Sequence, residues 1–168
     1  MENGLDARLV QGLKDAGINF VTYLPETRLS QIVPLIRDDP EMELVPTASE
    51  QEAVTIAAGA TLGGKQAAVY MESTGIYVST YSLLVIGKQL GVPILLVIAH
   101  LGGVQDQRNS FLYATIGKHT IPVLDGLDIG YTTVNDGDQL ETKIADAVRT
   151  GNARRSPFAL LFSGEFSV

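Results

Sequence analysis

The sequence predicts an α/β fold, a three-layer open parallel sheet with helices on both faces, and three observations carry that prediction. Hydrophobic periodicity switches along the chain between helical stripes and short extended runs. The stretch Val92 to Ala99 is almost continuously aliphatic, as a strand buried on both faces requires. Helical and extended segments alternate throughout, which is the pattern of parallel strands joined by crossover helices.

The elements follow in order. Leu5 to Ala16 carries apolar residues at Leu5, Leu9, Val10, Leu13 and Ala16, a helical stripe that Gly17 ends. Asn19 to Tyr23 is extended and runs into Leu24-Pro25. Ser30 to Arg37 reads as a helix, with Pro34 tolerable only near its first turn. Glu43 to Pro46 is a short strand. A helix starts at Ser49 and closes at Gly63-Gly64. Ala67 to Met71 is a strand, Gly75 to Leu90 a helix, and Val92 to Ala99 the buried strand. Ile129 to Val134 is a strand, Gln139 to Arg149 a helix, and Pro157 to Phe162 the last strand. Asn152 to Ser156 reads as a basic surface turn. No repeat or linker interrupts residues 1–168, so one domain is expected.

Composition narrows the function. The 168 residues suit a single sizeable core. The formal net charge of -7 argues against a sequence-independent grip on nucleic acid. With no cysteine, thiol nucleophiles, disulfides and zinc-thiolate sites are excluded. The mean hydropathy of +0.17 is high for a small domain and points to apolar surface covered by a partner. Val92 to Ala99 is too short to span a bilayer, and Met1 to Asp6 is polar and acidic, unlike a signal peptide. A cytoplasmic protein is expected.

The most informative stretch is Thr47 to Ala60. Ser49 reads as an N-cap, and Glu52, three residues on, completes a capping box. Glu52 therefore has a structural task, whereas Glu50 has none. Glu50 opens a helix whose Ala, Val, Ile and Gly residues let other backbones approach closely. Its carboxylate either satisfies the helix dipole at the surface or is a buried acid with a chemical role.

In open sheets, ligands bind outside the carboxyl ends of the strands. Leu24-Pro25-Glu26-Thr27, Glu72-Ser73-Thr74-Gly75, His100-Leu101-Gly102-Gly103 and the start of the Ser49 helix should meet on that rim. No Gly-x-Gly-x-x-Gly or Gly-x-x-x-x-Gly-Lys-Ser/Thr loop is present, and neither is a histidine pair with metal-ligand spacing.

Taken in order, Ala48-Ser49-Glu50-Gln51-Glu52-Ala53-Val54, Gly64-Lys65, Tyr70-Met71-Glu72-Ser73-Thr74-Gly75-Ile76, Gly91 to Ile98 and Gly117 to Asp125 resemble the pyrimidine-binding domain of thiamine diphosphate enzymes. The likeness covers about the whole chain. It is nearest to sulfopyruvate decarboxylase alpha subunits and to the N-terminal domain of phosphonopyruvate decarboxylases. The resemblance implies that Glu50 is the catalytic glutamate, hydrogen-bonding N1′ of the aminopyrimidine, and burial against Ala and Val would raise its pKa for that task. It implies that Glu50, Pro25, Ser73, Thr74 and Gly75 bind the cofactor. The substrate is then a 2-oxo acid that loses carbon dioxide while the cofactor holds the electrons. The Gly-Asp-Gly and Asn pair of a magnesium-diphosphate site are absent. Mg2+ and the diphosphate are therefore expected mainly on a partner beta subunit, with no metal ligand on this chain, in a hetero-oligomer.

Two segments depart from those relatives. Thr74-Gly75-Ile76-Tyr77-Val78 stands where they carry Ser-Gly-Leu-Gly-Asn, and Asn109-Ser110-Phe111-Leu112-Tyr113 stands where they carry Asp-Glu-Pro-Gln-His. The substrate end, with Glu26, Thr27, Tyr77, Val78, His100, Arg108 and Tyr113 as candidates, is thus expected to be more apolar. Arg108, with Gln105 and Gln107, offers a cationic alternative or an exposed loop. His100 is either a relay at a strand end or a solvated residue; His119 reads as a surface residue at a helix start. Tyr77, Tyr81 and Tyr113 either line a pocket or pack in a subunit interface. A carboligase subunit on the same scaffold and a non-catalytic interaction subunit remain alternatives.

Overall fold

The computed structural model describes residues 4–166. One sheet holds β1 (Phe20–Tyr23), β2 (Glu43–Pro46), β3 (Ala67–Glu72), β4 (Leu95–Ala99), β5 (Gly130–Val134) and β6 (Phe158–Phe162). All pairings are parallel, in the order β2-β1-β3-β4-β6-β5. The helices are α1 (Leu5–Asp15), α2 (Ile32–Arg37), α3 (Glu50–Leu62), α4 (Ser73–Ser82), α5 (Phe111–Gly126) and α6 (Leu140–Arg154).

Alternation along the strands divides the core in two. Val21, Tyr70, Val97 and Leu160 face one side and pack with Leu9 and Leu13 of α1, Ile32 and Ile36 of α2 and Ile144 of α6. Val69, Met71, Leu96, Ile98 and Leu161 face the other and pack with Ala53, Val54 and Ala57 of α3, Ile76 of α4 and Leu124 of α5. This is the expected three-layer arrangement. The central strands are buried on both faces, which explains why 92–99 reads as a continuous aliphatic run.

The connections decide where the site lies. β1 and β3 are hydrogen-bonded neighbours, with Tyr23 opposite Tyr70. The chain leaves β1 through α2 on one face and leaves β3 through α4 on the other. Loops that part to opposite faces open a crevice beyond the strand ends, the topological switch point of an open α/β sheet.

Several boundaries differ from expectation. The helix expected over 75–90 is α4 followed by a π-helical segment, Leu83–Gln89. The strand expected from Val92 begins at Leu95, although Val92 and Ile94 remain buried. α6 runs through Arg154, so Asn152 to Arg154 form its last turn rather than a surface turn, and Arg155 closes it in the left-handed conformation. α5 has no counterpart among the expected elements. Its apolar residues form no clear stripe, and it carries Pro122 and Gly117 in its interior. His119 therefore lies within α5 and not at a helix start.

The capping box at α3 is present with one change. Ser49 Oγ accepts the Glu52 amide at 3.1 Å, and the Glu52 carboxylate reaches back to the Ala48 amide at 2.7 Å, one residue before the cap. Ser49→Ala should cost about 1 kcal/mol of unfolding free energy, read from urea denaturation, with the α3 amides near Glu52 losing hydrogen-exchange protection first.

Candidate cofactor and substrate site

Glu50 is set at the rim by hydrogen bonds made before its helix begins. The Thr47 amide and hydroxyl donate to the Tyr23 carbonyl at 2.9 and 3.1 Å, hanging the entrance of α3 from the end of β1. Thr22 Oγ1 donates to the Ala53 carbonyl at 2.9 Å from the strand below. Glu50 then lies against the first turn of α4. A Cβ at Gly75 would stand 2.6 Å from Glu50 Cγ and 2.7 Å from Met71 Sδ, so only glycine lets the two helices meet there. The burial expected of Glu50 is partial. Its aliphatic carbons lie on Gly75 while the side chain as a whole is half-buried. Its carboxylate accepts no hydrogen bond among the described residues.

The two loops at the switch point bring two carboxyls together, those of Glu26 and Glu72. Glu26, after β1, accepts the Arg28 amide and the Leu29 amide, the latter at 2.7 Å. Glu72 ends β3 close beside it. Burial raises the Glu26 carboxyl pKa; the Arg28 and Leu29 amides lower it, and Glu72 raises it further, leaving it above its ordinary value.

The third loop carries His100 and Asp106. His100 is 7 % exposed, and its Nε2 is buried without a partner among the described residues. Burial lowers its pKa, against the opposing effects of the Gly117 backbone and Asp106, so the imidazole is mainly neutral at pH 7. Gly117 lets α5 approach this loop, since a Cβ there would stand 2.1 Å from the Leu101 carbonyl oxygen. Asp106 forms a buried ion pair with Arg28, with the two side chains 0 % and 4 % exposed. It also accepts the Gly102 amide at 2.7 Å and the Arg108 amide at 2.9 Å. Burial raises the Asp106 pKa, but the Gly102 amide, the Arg28 guanidinium and the Arg108 amide outweigh it and hold the carboxyl below its ordinary value.

The other expected site residues sort as follows. Pro25, Thr27 and Arg108 are exposed on the rim loops, and Thr74 is half-buried in the first turn of α4. Ser73 is corrected. It is fully buried, accepts the Leu101 amide at 3.1 Å and donates to the Ala99 carbonyl, so it joins β3 to the β4 loop and has no surface for a ligand. Tyr77 latches α4 to α5, its hydroxyl meeting the Ile116 carbonyl and Thr120 Oγ1. With Thr115, Ile116 and His119 it lines a cavity of about 270 Å3. Val78 is 53 % exposed. Tyr113 is half-buried, with the Arg28 guanidinium 5.0 Å from its ring centroid. Arg28, Asp106 and the Glu26–Glu72 proximity escape the sequence reading. Arg28 follows Thr27 directly, but its partner stands 78 residues away.

Residues 4–111 match the thiamine pyrophosphate enzyme N-terminal TPP binding domain. The chain belongs to this family. Thiamine pyrophosphate, another name for thiamine diphosphate, is the cofactor class of the domain. The sulfopyruvate decarboxylase subunit alpha of Methanococcus maripaludis is 26% identical over 151 residues, covering 90% of this chain and 89% of that one. The protein of the same name from Methanothermobacter thermautotrophicus is 28% identical over 148 residues, covering 84% and 87%. Phosphonopyruvate decarboxylase of Streptomyces viridochromogenes is 28% identical over 92% of this chain, which spans 39% of its length. In structure, 2-oxoglutarate:ferredoxin oxidoreductase from Magnetococcus marinus superposes with a TM-score of 0.73 at 20% identity. That match covers 98% of this chain and 29% of the other, and it shows the fold alone.

The residues present fit the pyrimidine end of the cofactor. Glu50 offers a carboxylate with no internal partner among the described residues, at the rim, and Gly75, lacking a Cβ, lets the aliphatic stem of Glu50 lie against the first turn of α4.

Asp106 sets a pH dependence. Its folded pKa is below the ordinary 3.8, so its stabilisation is complete above that value and is lost as pH falls through the folded pKa. Urea unfolding should show Asp106→Asn less stable by about 3–5 kcal/mol at pH 7, because Arg28 is left buried and unpaired. The gap should narrow below about pH 4 as the unfolded carboxyl is protonated.

Proposed function

We propose that this chain is the alpha, pyrimidine-binding subunit of a two-subunit thiamine diphosphate-dependent 2-oxo acid decarboxylase of the sulfopyruvate/phosphonopyruvate decarboxylase kind. The observation that carries the reading is the Glu50 carboxylate, unpartnered among the described residues and held at the rim against Gly75, in a chain of this family. The likeness to alpha subunits over nearly their whole length supports it. The partner, a beta subunit, supplies the diphosphate-binding half and Mg2+. Exposed Val78, Tyr81 and Leu84 on and beyond α4, and Phe111 and Leu112 on α5, are apolar surface suited to such a partner. Among the described residues no helix is long and apolar enough to cross a membrane. The single domain expected over 1–168 and a cytoplasmic setting belong to the same reading.

On this reading the chain's residues take the following roles. Glu50 offers its carboxyl to N1′ of the pyrimidine as a hydrogen-bonding partner. Glu26, raised in pKa beside Glu72, keeps a proton to higher pH than an ordinary carboxyl and faces the substrate end. Pro25, Thr74 and Gly75 border the cofactor; Thr27, Tyr77, Val78, His100, Arg108 and Tyr113 border the substrate. His100, neutral and buried, can donate or accept one hydrogen bond without adding charge. Bound, thiamine diphosphate supplies the electron sink that makes loss of carbon dioxide feasible.

Glu50→Gln should keep fold and assembly but lower exchange of the cofactor C2 proton by about 10²–10⁴-fold in the enzyme assembled with its partner. Glu52→Gln should exchange near the unaltered rate, because glutamine still completes a capping box. Equal losses in the two variants would remove the special role of Glu50.

The substrate end discriminates by charge. Arg28 is already neutralised by Asp106, which leaves a dianionic tail without a buried cation there. A 2-oxo acid with a neutral or apolar tail should therefore exceed sulfopyruvate and phosphonopyruvate in kcat/KM. A tenfold advantage for either acidic tail, about 1.4 kcal/mol of transition-state preference, would assign the tail to Arg108 instead.

A further inference from the structure

We propose that Arg28 and Asp106 are positioning residues that fasten the β1–α2 loop to the β4–α5 loop, and so fix Glu26 and Tyr113 at the substrate end. The proposal rests on the decarboxylase reading for its catalytic consequence, while the coupling of the two loops stands on the structure alone.

The Asp106 carboxylate is the knot. Its Oδ1 accepts Arg28 Nη1 and the Arg108 amide, and its Oδ2 accepts the Gly102 amide. The segment from 102 to 108 thus wraps around one side chain. Backbone bonds tighten the wrap: the Asp106 amide donates to the Gly103 carbonyl and the Asn109 amide to the Asp106 carbonyl, both at 3.0 Å. Gly164, beyond β6, donates to the Gln105 carbonyl at 2.9 Å and anchors the loop from the other side.

Arg28 carries the connection across the crevice. Its side chain enters the Asp106 knot, while its own amide donates to Glu26, and the next amide, of Leu29, donates to the other Glu26 oxygen. A displacement of the guanidinium therefore moves the residue that holds the Glu26 carboxyl. The guanidinium also covers the Tyr113 ring at 5.0 Å, a cation–π distance, so α5 begins in register with the same residue. One side chain thereby touches the loop after β4 and the first turn of α5, and its backbone holds the acid after β1.

The pair cannot act as an anion site, because its two charges cancel and it is buried. An isolated buried pair confers little net stability over an apolar pair of similar volume. What it provides here is geometry: planar guanidinium donors with fixed directions, a carboxylate with three donors, and no freedom for either loop to shift alone.

Amide hydrogen exchange on the full chain reads the coupling. In Asp106→Asn the Gly102 and Arg108 amides should exchange at least tenfold faster, and so should the Arg28 and Leu29 amides in the other loop. Unchanged protection at Arg28 and Leu29 would mean two independent loops and would overturn the proposal. Because a lone buried charge can prevent folding, Arg28→Met combined with Asp106→Asn removes both charges while the methionine stem still packs on Tyr113.

Assembled with the partner subunit, this double variant should lose at least tenfold in kcat/KM per folded site with pyruvate and sulfopyruvate as probes. The loss should be carried by KM, since the wall that meets bound substrate has moved. Arg28→Lys should fall between it and the unaltered enzyme. A merely structural pair would lower the folded fraction and leave KM per folded site unchanged, and that result would also overturn the proposal. An unaltered assembly that turns over neither acid counts against the decarboxylase reading, and the exchange result then decides the coupling by itself.

Discussion

Everything at the rim depends on one topological constraint: β1 and β3 are neighbours in the sheet, yet the chain leaves them toward opposite faces. Parallel pairing places every strand's carboxyl end at the same edge. At any other neighbouring pair whose connections run to the same side, the crossover segments would fill the space above the strand ends. Between β1 and β3 they part, and Glu26, Glu72 and the start of α3 border the opening. The hydrogen bonds of Thr47 to the Tyr23 carbonyl carry this constraint to Glu50, because the helix that presents Glu50 hangs from β1 itself.

The chemistry of the rim follows from how its carboxyls are treated. Asp106 receives two amides and a guanidinium and stays ionised. Glu26 receives two amides but lies buried beside another carboxyl, and it is pushed toward the protonated form. Glu50 receives nothing from within the chain among the described residues. A group left unpartnered at the rim is available to an external donor or acceptor. A carboxyl lowered in pKa, one raised and one left open thus occur near one rim, and the distinction lies in their donors and burial rather than in residue type.

Much of the scaffold is legible in the residue pattern because burial and periodicity are local signals. The stripe of α1, the aliphatic run of β4 and the Ser49–Glu52 box each require only a window of a few residues. The failures have physical causes too. α5 carries apolar residues around much of its circumference although only Gly117, Thr120 and Leu124 are buried, so no stripe marks it, and Pro122 argues against it locally. The π-helical turn after α4 changes hydrogen-bond offset without any change in composition. Ser73 sits in a rim motif with chemical appearance, yet its hydroxyl is engaged in joining two strands' loops.

Residue order alone suffices for the fold class, the strand-and-helix succession, the rim as the place for chemistry and Glu50 as the carboxylate without a structural task. These rest on hydrophobic period and capping, which act between residues close along the chain. The pairing of Arg28 with Asp106, the approach of Glu26 to Glu72, the seat of Glu50 on Gly75 and the burial of His100 appear only after folding. Each joins residues far apart in sequence, and each depends on how far a side chain is removed from water, a property that belongs to the packed chain and to no segment of it.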